Sequence, residues 1–249
     1  MVFGLSVGHC QSADDVISEL RNDNFDAANR MLAGDTSLGN SREVRKFLFE
    51  NPIYVQNLTA NKSLINHLLV ECALRGNLPL AKQLVEEMGA DVNFESENSG
   101  WPLQIACRVC DIELVEYLLA QNANPNIETS TSSLLSYLAR GVQTVRFRSV
   151  VSGDVITDEE RLAHQWIEHF EPKEIEIMKM LIDNGGDITY ITPEGKSLVQ
   201  IAQESGNDRM AAMLKKQERG RHHRREEEPL RPIPRPVKNP GTILKRNGD

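Results

Sequence analysis

The sequence has few of the features that mark disulfide-stabilised or membrane-spanning proteins. Four cysteines in 249 residues are too few for a disulfide scaffold, and no apolar run approaches the roughly 20 residues that a membrane helix needs. No lysine or arginine precedes the apolar start of the chain, so we do not expect a secretory signal. Aromatic residues make up only 5% of the chain, and its apolar stretches are rich in Leu and Ala, which favour helices. We therefore expect a helical protein of the cytoplasm.

Motifs of catalysis and metal binding are missing as well. The sequence has no glycine-rich phosphate loop, no G-x-S-x-G and no H-E-x-x-H. Cys107 and Cys110 form a C-x-x-C pair, but zinc needs a second pair of ligands that the sequence does not supply at a useful spacing. His164 and His169 are five residues apart, which on a helix turns them about 140° from each other. We predict a protein that is not an enzyme and holds no metal and no cofactor.

The net charge of −8 is divided unevenly along the chain. Residues 215–249 carry eleven Lys/Arg and five Asp/Glu, a balance of +6, which leaves −14 for residues 1–214. From about residue 217 the chain is rich in Arg and Pro and loses its apolar periodicity, so we predict a disordered basic tail over residues 217–249. Such a tail allows an alternative function, an autoinhibited binder of nucleic acid or anionic lipid, although the tail lacks aromatic residues on which bases could stack.

An internal repeat is the most informative feature of the sequence. The segments Leu68–Asn93 and Pro102–Asn126 share one pattern, and their terminal motifs G-A-D-V-N and N-A-N-P-N begin 33 residues apart, at Gly89 and Asn122. A third copy of this ending precedes Thr189, with Gly185 in the corresponding place. Gly and Asn tolerate the left-handed backbone of a helix C-cap, so we expect second helices to end at these three positions.

These motifs resemble the ankyrin repeat, in which a turn, a short first helix, a tight turn at Gly and a second helix follow one another. The resemblance covers about four repeats between Lys62 and Lys216 and implies an all-α helical solenoid. Two departures stand out in the second copy. Trp101 lies where a Thr would cap the first helix, and Cys110 replaces the Gly of the tight turn, which favours a structural role for both thiols of the C-x-x-C pair.

The segments outside the regular copies divide the chain further. We interpret residues 1–60 as a helical N-terminal cap that is only repeat-like, with Ser41 as an N-cap; a separate functional domain is the alternative. Residues 61–216 hold the repeats. A long insertion at 141–172 splits the third copy and carries an aromatic-lined helix that either packs on the stack or docks a partner.

The resemblance implies a binding surface made of the turn tips and the inward side of the first helices. We predict a monomeric adaptor whose partner is another protein. Short, degenerate ankyrin arrays are common among effectors that bacteria deliver into host cells, so the resemblance implies an effector in the host cytoplasm; the alternative is a eukaryotic-type cytoplasmic or nuclear regulator. By register, the candidate partner-binding residues are Leu74, Arg75, Glu97, Asn98, Trp101, Arg108, Val109, Arg140, Glu194, Lys196 and Glu204, with Trp166 and Phe170 from the insertion.

Overall fold

The computed structural model describes residues 12–35, 37–38, 41–58, 61–97, 99–129, 132–141 and 172–227, the last seven by their backbone alone. These residues form helices and turns, with isolated β-bridges and no strand. The elements are α1 (Ala13–Arg21), α2 (Phe25–Gly34), α3 (Arg42–Glu50), a 3-10 helix (Pro52–Asn57), α4 (Lys62–Arg75), α5 (Leu78–Glu86), α6 (Pro102–Arg108), α7 (Ile112–Ala120), α8 (Leu134–Arg140), α9 (residues 172–183), α10 (Leu198–Glu204) and α11 (Asp208–Glu227).

The helices are arranged in consecutive pairs around one continuous buried core. Within the pairs, α1 contacts α2, α4 contacts α5, α6 contacts α7 and α10 contacts α11. Between the pairs, the first helices contact one another, α1 with α3, α3 with α4, α4 with α6, and α8 with α10. Each pair therefore buries its apolar side against its neighbours in sequence, which is the arrangement of a helical solenoid. The all-α solenoid that the repeat predicted is confirmed.

Polar side chains at the helix starts explain where the helices begin. The side chain of Asn77 accepts a hydrogen bond from the backbone N–H of Leu80, and that of Asp111 accepts one from Leu114. The first helices α8 and α10 begin at the capping boxes of Ser133 and Ser197. Each cap provides a partner for an N–H group that the first helical turn leaves unpaired. The predicted N-cap of α3 is confirmed as well, because the Val44 N–H donates to Ser41 Oγ at 3.3 Å.

The predicted ends of the second helices carry the left-handed backbone that ends a helix. Gly89, Asn122 and Gly185 have φ angles of 68°, 64° and 95°. The tight turn between α6 and α7 has the same conformation at Cys110, where φ is 56°. Cys110 therefore occupies a glycine-type position at a conformational cost, since a side chain with a Cβ atom disfavours this region by about 1–2 kcal/mol.

An asparagine ladder connects successive repeats after the second helices. Asn93 Nδ2 donates to the Asn122 carbonyl at 3.2 Å, and its Oδ1 accepts from the backbone N–H of Asn124 at 2.7 Å. Asn126 repeats both bonds one unit later, donating to the Gly185 carbonyl at 3.0 Å and accepting from Asp187 at 2.7 Å. Each asparagine amide therefore links the loop of its own repeat to the helix end of the next.

The N-terminal segment contributes two further helical units to the stack. Helices α1 and α2 form a pair joined by a turn in which Asp23 has a φ of 56°. Helix α3 is followed by the 3-10 helix in the place of a second α-helix. Val16, Leu48 and Val55 are fully buried in the same core as the later repeats. This segment therefore packs as part of the stack, and residues 1–11 lie outside the described part of the chain.

The C-terminal helix differs from the sequence prediction. We expected disorder from residue 217, yet α11 continues to Glu227. Its later residues are Lys, Arg, Glu, Gln and His with one glycine, Gly220, and no proline before Pro229. Lys, Arg, Glu and Gln favour a helix without needing a core. Residues 228–249 and residues 142–171, which include Trp166 and Phe170, lie outside the described residues.

Candidate partner-binding surface

The C-terminal ends of the first helices occupy corresponding places in four repeats. Gly76, Cys110, Gly141 and Gly206 all have positive φ angles and directly follow or closely follow these helix ends. Turns closed by the bridges Ser96–Gly100 and Ile191–Ser197 precede α6 and α10. We name the ends of α4, α6, α8 and α10, together with these two turns, the first-helix surface. The sequence predicted this surface by register.

Three aliphatic side chains on the first-helix surface are exposed to solvent. Ile191 in the turn before α10 is 55% exposed, Leu74 near the end of α4 is 36% exposed, and Val109 just after α6 is 41% exposed. Arg108 beside Val109 is also exposed. Leu74 and Arg108 each directly follow a fully buried residue of their helix. Packing in the core does not use these exposed side chains, so they are available to a partner.

Arg75 is engaged within the stack. Its Nε lies 3.2 Å from Glu71 Oε2, and its guanidinium lies 4.8 Å from the ring centre of Phe49 on α3. A cation above an aromatic face contributes about 0.5–1 kcal/mol at an exposed site. Arg75 thus helps to hold α4 against α3, and 41% of its side chain remains exposed.

Four predicted residues come together at the last repeat. Lys196 in the turn before α10 forms an ion pair with Glu204 at the end of that helix. Glu194 lies in the same turn, and hydrogen bonds from Thr192 and from its own backbone lower the pKa of its carboxyl, with smaller contributions from Arg140 and Lys196. The turn tip and the helix ends therefore form one exposed charged patch.

A cleft of about 290 Å³ opens where three repeats meet. Arg45 of α3, Ser63 and His67 of α4, and residues 94–97 and 99 of the following turn line it. The predicted residue Glu97 is among them. Two atoms in this cleft, Arg45 Nε and His67 Nδ1, are buried without a hydrogen-bond partner. Desolvation, followed by the charge of Arg45, lowers the pKa of His67, so its ring is neutral near pH 7.

Sequence reasoning did not predict Arg45 or His67 as part of the site. Two residues that it did predict, Trp101 and Asn98, are not among the exposed residues that the structure describes. Trp101 is half-buried, packs against the core, and makes no capping hydrogen bond at the start of α6. Asn98 lies outside the described residues. The signal for Arg45 was its place inside an amphipathic helix of the predicted cap, but sequence alone does not show that α3 meets the turn after α5.

The cysteines of the C-x-x-C pair are packed as core residues. Cys107 is fully buried and Cys110 is 5% exposed. Burial raises the pKa of Cys107 well above its usual range and that of Cys110 to about 11, and burial together with Glu71 raises the pKa of Cys72 to about 12. Thiolates are the reactive form of cysteine, so the arrangement does not favour redox chemistry.

We expect iodoacetamide at pH 8 to leave Cys72, Cys107 and Cys110 unmodified in the folded protein. Their raised pKa values leave at least about 100-fold less thiolate than an ordinary cysteine has, and their burial blocks access. Mass spectrometry of tryptic peptides before and after unfolding in guanidinium chloride measures each site separately. Alkylation of Cys110 at equal rates in both states would contradict its packed role.

The described residues show no features of a metal centre or a membrane span. Within them, no group of three or more His, Cys, Asp and Glu side chains is placed to hold a metal ion. None of their helices is both long and apolar enough to cross a membrane.

Comparison with known proteins identifies the repeat. A family model described as ankyrin repeats in three copies matches residues 25–130. The match begins in the segment that we interpreted as a cap, and helices α8–α11 continue the stack beyond it. The human 2-5A-dependent ribonuclease is 35% identical over 82 residues, which are 31% of this chain and 11% of that protein. Because the chain spans so little of the relative, the activity in that name is not transferred to it.

Proposed function

We propose that this chain, which contains ankyrin repeats, is a non-enzymatic adaptor that binds a partner protein on its first-helix surface. Ankyrin repeats are protein–protein interaction modules. The observation that carries the proposal is the pair of exposed aliphatic side chains, Leu74 and Val109, at nearly equivalent places of successive repeats. They lie on the same surface as the charged patch of the last repeat, so apolar contacts and ion pairs are available together.

The energetic argument concerns desolvation. Burying an exposed aliphatic side chain under a partner contributes about 25 cal/mol for each Å² of apolar area removed from water. The surrounding charges, which include Arg108 and Arg140, add specificity and faster association more than affinity. Central apolar anchors with a charged rim are the usual composition of a protein interface.

The test is a double variant, Leu74→Asp with Val109→Asp, on the full chain. Both side chains are exposed, so the fold is expected to persist, with thermal unfolding as the check. We expect proteins captured from a lysate by the wild type to be reduced at least about tenfold with the variant, because two charges would be buried at the interface. Quantitative mass spectrometry measures the captured proteins.

The matched control is Ile53→Asp, an equivalent change at a residue that is 67% exposed in the 3-10 helix. This helix takes the place of a second helix and lies outside the first-helix surface. Retained binding by the control and loss by the double variant support the proposal. Equal binding by all three proteins would reject the first-helix surface as the binding site.

The finer role of the adaptor is also a proposal. The ankyrin resemblance supports an effector that acts on a host protein, and a translocation reporter fused to the chain tests this role directly. An absence of translocation from a competent bacterium would leave the adaptor function and remove the effector role. Incubation of the full chain with labelled RNA tests the non-enzymatic assignment, and we expect no cleavage.

A further inference from the structure

We propose that the cleft between α3, α4 and the turn at residues 94–97 and 99 binds an acidic side chain of the partner protein, one that has a basic residue next to it in its sequence. This inference rests on the proposed function and names the chemistry that one part of the partner supplies. The cleft is defined by Arg45, Ser63, His67, Phe94, Glu95, Ser96, Glu97 and Ser99.

The first argument is the unpaired guanidinium. Arg45 Nε is buried and has no hydrogen-bond partner, and no ion pair of Arg45 is found among the described residues. Arginine stays charged at every relevant pH and can only donate hydrogen bonds. A buried charged donor without an acceptor is costly. Glu95 and Glu97 line the same cleft, yet among the described residues neither forms an ion pair with Arg45, and a carboxylate satisfies a guanidinium better than a neutral oxygen does.

The second argument is the ring of His67. Its Nδ1 is buried without a partner in the same cleft, and its edge-on contact with Phe94, with ring centres 4.9 Å apart, holds its orientation. A neutral imidazole carries its proton on either nitrogen. A carboxylate oxygen favours the form with the proton on Nδ1, which then donates to it. Arg45 and His67 line the cleft, and once their side chains turn these two buried nitrogens toward it, they offer two donors to one carboxylate group.

The third argument is the negative charge on the turn, which is opposite in sign to the charge of Arg45. Glu95 and Glu97 line the same cleft and are exposed. Their charges repel a free anion such as phosphate, because like charges oppose its approach. A peptide with an acidic residue beside a lysine or arginine matches both sides of the cleft. Its carboxylate meets Arg45 and His67, and its basic group meets the two glutamates.

The probe is the capped dipeptide N-acetyl-Asp-Lys-amide, added to the full chain while NMR follows the ring signals of His67. We expect saturable shifts with a dissociation constant on the order of millimolar, the strength of a few contacts. The analogue N-acetyl-Asn-Lys-amide is expected to bind at least about tenfold more weakly, since it loses the charge-assisted hydrogen bonds. Inorganic phosphate at equal concentration tests whether the cleft binds any free anion.

Variants assign the response to the cleft. Arg45→Met keeps the length of the side chain and removes the donor, so we expect the dipeptide shifts to be lost. Its thermal midpoint is expected to hold or to rise by about 2 °C, because an unsatisfied buried group is removed. Arg45→Lys should restore part of the binding. The matched control Arg30→Met changes an exposed arginine of α2 outside the cleft and should leave the titration unchanged.

Each outcome of these titrations either supports or overturns the proposed carboxylate site. Preference for the Asp dipeptide, lost in Arg45→Met and kept in Arg30→Met, supports the assignment. No shift of His67 up to about 20 mM dipeptide, well above millimolar affinity, overturns it, as does an equal response to the Asn analogue or to phosphate. A clear drop in the thermal midpoint of Arg45→Met would show a structural role for Arg45 and also overturn it. Failure of this test leaves the adaptor function standing, because the Leu74 and Val109 double variant tests that function separately.

Discussion

Replacement of Leu118 by alanine is expected to lower the free energy of unfolding by about 3–4 kcal/mol. Leu118 lies in α7 and is fully buried. Truncation of a buried leucine removes its transfer free energy and leaves a cavity, which together cost about 2–5 kcal/mol. A central repeat has neighbours on both sides, so the surrounding helices cannot close the cavity without giving up their own contacts. Urea titration followed by circular dichroism measures the loss.

The matched control for Leu118→Ala is Val109→Ala in the preceding helix. Val109 is 41% exposed, so its truncation removes little buried area and should cost less than about 0.5 kcal/mol. A similar loss in both variants would mean that the exposed aliphatic surface of α6 is part of the core. That result would weigh against the first-helix surface as a free binding site as well as against the packing of α7.

The sequence predicted the repeat well where local chemistry repeats. Gly89, Asn122 and Gly185 were recognised from their spacing and residue type, because only a few residues accept the left-handed backbone that ends a helix. The same register selected Lys196 and Glu204 as candidate binding residues, and the structure shows that they form an ion pair. Local conformation and register follow from short-range interactions, and these are readable in a single sequence.

The sequence predicted less where function depends on contacts between distant segments. Arg45 and His67 lie on different helices, and Glu97 follows the next one. Their cleft exists only because α3 packs on α4 and the turn after α5 lies over both. No pattern in the sequence shows that a polar atom will be left without a partner, since that depends on packing in three dimensions. Residues 1–60 stay a predicted repeat-like cap, because their described helices pack in the same core while their sequence lacks the full repeat motif.

Replacement of Asn126 by alanine is expected to lower the free energy of unfolding by about 2 kcal/mol and to reduce cooperativity. Asn126 makes two hydrogen bonds to residues 59 and 61 positions later in the chain, the Gly185 carbonyl and the Asp187 N–H. Each such bond contributes about 0.5–1.5 kcal/mol. They connect repeats on the two sides of the long insertion. In a linear stack, stability is the sum of the repeats and their interfaces, so a weaker interface lets the last repeats unfold separately. A smaller slope of the urea transition, or a second step, reports this change.

Thr189→Ala is the register-matched control for Asn126→Ala. Thr189 occupies the ladder position after α9, where its hydroxyl donates to Asp187 Oδ1 within the same loop. The pair α10 and α11 follows it, but the hydrogen bonds of Thr189 stay within its own loop, so its removal loses a local bond and no link between repeats. We expect a loss of less than about 1 kcal/mol and an unchanged slope. An equal effect of the two variants would show that the loops matter only locally. A larger effect for Asn126 with a changed slope would show that the asparagine ladder carries cooperativity across the insertion, and hence keeps the charged patch of the last repeat aligned with Leu74 and Val109.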